Sequence, residues 1–138
     1  MSRVPRWQEH LKTGFTAEAV AAARYRAYAF EAEREGMPRL AGEWRQLAGE
    51  KDELARIQLE AAEQLRGPSA SVADGQAEER FENEVLYPKM IGEVDEEIGG
   101  IFRRVIAAQE RHAERLRRMR QALAAGPRDV DLPAEVEA

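Results

Sequence analysis

Apolar residues recur at steps of three and four in four stretches of the chain, which predicts four amphipathic helices. Glycine and proline at 36, 67–68, 99–100 and 126–127 are placed to end them. We expect the helices to run from about Trp7 (or from a Thr13 cap) to Glu35, from Pro38 to Arg66, from a cap at Ser71 or Asp74 to Ile98, and from Ile101 to Ala124.

Short turns after helices one and three predict two antiparallel hairpins, joined by a small polar linker at Ser69–Asp74. The expected fold is an all-α four-helix bundle over 1–125, with an acidic, flexible tail over 126–138. Pro88 lies inside helix three and should kink it, because its ring clashes with the carbonyl oxygen four residues back.

Polar residues interrupt the apolar stripe of each helix near its middle. On helix four, Gln109 and His112 lie in register with Val105 and Leu116, so the helix is expected to bury both. The corresponding residues of the other helices are Glu18, Lys51, Glu79 and Glu82. Buried polar groups need partners, so we expect these side chains to meet in one layer.

Two arrangements would stabilise such a layer. Glu79, Glu82 and His112 could hold a metal ion with Glu18 close by, because oxygen and imidazole ligands suit iron, manganese or zinc. Alternatively, Lys51 could supply the positive charge of a metal-free ion network. The residue pattern leaves both arrangements open.

Composition excludes several classes of function. Charged residues make up 34% of the 138 residues and the formal charge is -5, which argues against a nucleic-acid partner. The absence of cysteine excludes disulfides, iron–sulfur clusters and thiolate metal sites. No apolar run approaches the roughly 20 residues of a membrane span, and the N-terminus has no apolar signal core. We therefore expect a soluble, cytoplasmic protein without a membrane partner.

Three of the four helices resemble those of rubrerythrin-type ferritin-like proteins, over about Leu11 to Leu123. The resemblance rests on Phe15-Thr16-Ala17-Glu18, Arg24-Tyr25 and Glu35-Gly36 in helix one, on Glu79-x-x-Glu82 and Tyr87-Pro88 in helix three, and on Gln109-Glu110-Arg111-His112 in helix four. The family is a ferritin-like bundle that binds two irons and reduces peroxide or oxidises iron. No rubredoxin module accompanies the bundle, since the chain has no cysteine.

The resemblance implies a partly lost di-iron site. Glu18, Glu79, Glu82 and His112 fall on ligand positions of the family, whereas Lys51 and Leu54 replace its Glu-x-x-His pair on helix two. Gln109 replaces the glutamate of helix four. The prediction is one iron, manganese or zinc ion at most, with weak peroxidase- or ferroxidase-like activity as an iron-dependent oxidoreductase. The alternative is a metal-free bundle for assembly or partner binding, in which Lys51 pairs with the core glutamates.

The linker predicts a homodimer. If Lys51 and Glu79 are level on parallel neighbouring helices, the linker must return about 28 Å and also move sideways by about 8–10 Å. A taut linker spans about 30 Å. A domain-swapped dimer, in which one chain's first hairpin packs on the other chain's second hairpin, removes this restriction. The alternative is a monomer in which one turn of helix two frays and lengthens the linker.

Overall fold

The computed structural model describes residues 3–126, 129, 130 and 132. This part of the chain is helical and contains no strand, which confirms the all-α prediction. The helices are α1 Trp7–Arg34, α2 Pro38–Ala61, α3 Pro68–Phe81, α4 Tyr87–Ile91 and α5 Glu96–Ala124, and a π-helical segment, Glu82–Leu86, joins α3 to α4. The chain divides into two compact units, Met1–Leu65 and Arg66–Ala138.

The first unit is an antiparallel pair, α1 and α2, which we call hairpin 1. Gly36 ends α1 with a φ of +76°, a left-handed conformation that glycine adopts without steric cost. Pro38 begins α2 in the first helical turn, where its missing N–H group costs no hydrogen bond. Both turn residues act as the sequence predicts.

A seam of alanine side chains forms the centre of hairpin 1. Small side chains let two helix backbones approach closely, and here they take the place of larger core residues. On α2 the alanines recur every seventh residue, which keeps them on one side of the helix. The buried members are Ala22, Ala29 and Ala32 of α1, with Ala41, Ala48, Ala55 and Ala62 in and just after α2.

The connection between the two units differs from the prediction. The structure ends α2 at Ala61 rather than at Arg66 and begins α3 at Pro68 rather than at Asp74. Pro68 in the first turn is already preset for a helix, so α3 needs no capping side chain at Ser71 or Asp74. The predicted linker Ser69–Asp74 is therefore helical, and the true connection is the shorter segment 62–67.

The second unit, called hairpin 2, consists of α3, the π-helical segment, α4 and α5. Its turn lies before Glu96, so the prediction that Gly99-Gly100 forms this turn was wrong. Asp95 caps α5, because its side chain accepts a hydrogen bond from the Ile98 N–H at 3.0 Å. This cap, followed by two glutamates that favour the positive end of the helix dipole, outweighs the low helix propensity of two glycines.

Pro88 produces a π-helical turn. The Tyr87 N–H bonds to the Glu82 carbonyl five residues back, instead of four. Proline lacks an N–H group and its ring would clash with the Glu84 carbonyl, and the wider turn relieves both restrictions. Short π-helical turns of this kind occur frequently at functional sites.

The predictions of a flexible tail and of a single domain are not decided by the described residues. The flexible tail at 126–138 lies mostly outside the described residues; Gly126, Asp129, Val130 and Leu132 are described and belong to no helix. The single domain over 1–125 stays a prediction. Within the described residues, no helix combines the length and the apolar content that crossing a bilayer requires.

Candidate functional site: polar contacts of the two hairpins

Hairpin 1 contains an ion pair at the middle of its two helices. The ammonium nitrogen of Lys51 on α2 lies 2.7 Å from Oε2 of Glu18 on α1. The two side chains are only 30% and 24% exposed, so water screens the pair less than a pair on the open surface. A hydrogen bond to Glu18 is the main cause of the raised pKa of Lys51, and burial opposes it. Lys51 is therefore charged at neutral pH and neutralises Glu18.

An aromatic cluster lies on the same two helices as this ion pair. The rings of Tyr25 and Tyr28 lie 5.0 and 5.1 Å from that of Trp44, between centroids. Tilted and edge-on rings at these distances attract each other. The electrostatic effect of Tyr25 is the smallest of the causes that raise the pKa of Lys51. The cluster therefore packs α1 against α2.

A glycine notch lies further along the same hairpin. The amide of Gln58 fills the space beside Gly14, where an added Cβ would lie 1.7 Å from the Gln58 Oε1 atom. Gln58 is one heptad after Lys51 on α2, so the polar stripe continues past the ion pair. Sequence reasoning missed this role, although a glycine inside a helical pattern is a signal of close approach.

Hairpin 2 contains the second polar contact. The Nε2 of Gln109 on α5 donates a hydrogen bond to Oε2 of Glu82 at 2.8 Å. Glu82 is the first residue of the π-helical segment, so the widened turn begins where this carboxylate meets α5. The contact shows that the glutamine occupies one carboxylate oxygen that the predicted metal site would need.

The third contact joins Glu79 and His112. His112 Nδ1 lies 3.5 Å from Glu79 Oε1, at the long limit of a hydrogen bond. The Glu79 side chain is 22% exposed and that of His112 is 53% exposed. The expectation that α5 buries its mid-helix histidine is therefore wrong for this chain: His112 lies at the edge of hairpin 2, not in a core.

The predicted site residues form pairs within each hairpin. Glu18 meets Lys51, Glu82 meets Gln109, and Glu79 approaches His112. Among residues 3–126 and the few described after them, no group of three or more carboxylate or histidine side chains is arranged to hold a metal ion. A di-iron centre would also need bridging carboxylates where Lys51 and Gln109 stand, so the residues present do not fit it.

Buried oxygen atoms of hairpin 2 lack donors. They are Glu79 Oε2, Asn83 Oδ1 and Gln109 Oε1. Each of these atoms can only accept a hydrogen bond or bind a cation. Such atoms seldom remain unpaired in the interior of a folded protein. Asn83 was not a predicted site residue. Its position four residues after Glu79 was the available signal, since that spacing places both on one helix face.

A groove of about 500 Å³ runs along α3 and α5 beside these atoms. Its carboxylates, Glu79, Glu84 and Glu110, are offset by Arg80 and Arg117. The mixture of charges gives the groove no strong preference for an anion or a cation.

No protein-family model and no curated protein matches this sequence. The resemblance to rubrerythrin-type proteins therefore stays a prediction, carried by the residues quoted above.

Proposed function

We propose that this protein is a ferritin-like bundle that has exchanged its metal for an internal ion network and serves assembly or partner binding rather than catalysis. The ion pair between Lys51 and Glu18 carries the proposal. In the family that the sequence resembles, the position of Lys51 belongs to a ligand of the two irons. A cation of the protein there neutralises a carboxylate without a metal ion and repels any metal nearby.

The contacts of hairpin 2 support the same function. Gln109 cannot bear the negative charge of a bridging carboxylate, and its amide engages Glu82 at 2.8 Å. Lys51 and Gln109, which stand at ligand positions of the resembled family, are thus the partners of Glu18 and Glu82. The result is a polar contact within each hairpin that favours one register of its helices without requiring a cofactor.

A second candidate is a single iron, manganese or zinc ion at Glu79, Glu82 and His112, with Glu18 in reserve. The approach of His112 to Glu79 and the unpaired Oε2 of Glu79 favour it. Metal binding would require the Glu82 carboxylate to give up its hydrogen bond from Gln109. With iron bound, this site would carry the peroxidase- or ferroxidase-like activity that the resemblance implies.

Calorimetric titration with Mn²⁺, Zn²⁺ and anaerobic Fe²⁺ separates the two candidates. If the protein functions without metal, titration of the wild type should give no saturable binding heat that depends on Glu79. Saturable binding of one ion per chain, lost in Glu79→Gln and kept in the surface control Glu93→Gln, would replace the first candidate by the second.

We also propose that two chains form the functional unit, as a domain-swapped homodimer. The helix ends support this more strongly than the sequence did. From Lys51 to Ala61, α2 rises about 15 Å, and from Pro68 to Glu79 the next helix rises about 16 Å. The connection between Ala61 and Pro68 spans about 25 Å at most. It is too short to return about 31 Å, so a shared layer with Lys51 and Glu79 level on parallel helices would need two chains.

Light scattering coupled to size-exclusion chromatography tests the dimer. The proposal predicts twice the chain mass of 15.6 kDa at micromolar concentration. A mass of one chain would contradict it.

A further inference from the structure

We draw no further inference here: the strongest candidate, the groove of about 500 Å³ along α3 and α5, is lined by side chains of both charges that select no class of ligand, and its unpaired oxygen atoms, Glu79 Oε2 and Asn83 Oδ1, are buried and belong to the site already described.

Discussion

Lys51 of α2 lies 2.7 Å from Glu18 of α1, at the level where the sequence predicts a metal-binding layer. The hairpin thereby supplies a positive charge from its own chain. A carboxylate that is only 24% exposed would otherwise be costly to keep ionised without a cation beside it. Under the proposed function, this ion pair takes the place of a metal ion in neutralising Glu18.

The raised pKa of Lys51 predicts a pH dependence of stability. The folded state holds this proton more tightly than the unfolded chain, in which the pKa is about 10.5. Its contribution is complete below that value and is lost as the pH rises through the higher folded-state pKa. Urea unfolding at neutral and alkaline pH should show this loss in the wild type and a smaller loss in Lys51→Met. The exposed control Lys12→Met should retain the full wild-type slope; equal slopes in both variants would contradict the assignment.

Gln109→Leu should destabilise the protein by about 1–2 kcal/mol, because it leaves the partly buried Glu82 carboxylate without its donor. Gln121→Leu changes an exposed glutamine on the same helix and should change the free energy of unfolding much less. Chemical denaturation measures both. Equal effects would mean that the contact with Glu82 adds no stability.

The alanine seam predicts opposite effects at two adjacent positions. Ala48 is 1% exposed, so Ala48→Leu overpacks the seam and should destabilise by about 1–3 kcal/mol. The neighbouring Gly49 has open space around an added Cβ, so Gly49→Ala should stabilise by up to about 1 kcal/mol through helix propensity. Thermal and urea unfolding of the two variants check the pair. A tolerated leucine at 48 would show that the helices are not held close by the seam.

Restoring the residues of the resembled family should restore metal binding. The triple variant Lys51→Glu, Leu54→His and Gln109→Glu removes the internal cation and returns three ligands at family positions. After anaerobic loading with iron and exposure to air, it should show the absorption of an oxo-bridged di-iron centre, and the wild type should not. No absorption in a folded triple variant would show that the positions were aligned incorrectly.

Local signals in the sequence predicted the helices and several of their ends. Gly36 and Pro38 determine their turn through backbone geometry alone, and the prediction there was confirmed. The turn at Gly99-Gly100 was wrong because the cap at Asp95 competes with the glycines, and composition alone does not rank the two. The π-helical turn before Pro88 could be expected only as a kink.

The candidate site was predictable in part. The periodic pattern identified Lys51, Glu18, Glu82 and Gln109 as residues in need of partners, and the structure pairs them. It could not predict that His112 is 53% exposed, because a periodic pattern gives the direction in which a side chain points and not how far neighbouring residues bury it. The apolar stripe predicted for α1 contains its seam alanines, Ala22, Ala29 and Ala32, whereas the stripe predicted for α2 followed the leucines and missed the alanines at every seventh residue.

The metal content of protein purified without chelator tests the central claim most directly. Elemental analysis of the wild type, before and after incubation with iron, manganese and zinc and removal of excess metal, should find none of them in stoichiometric amount. A full equivalent of any one metal per chain, reduced in Glu79→Gln but not in Glu93→Gln, would contradict the proposal that Lys51 has replaced the metal.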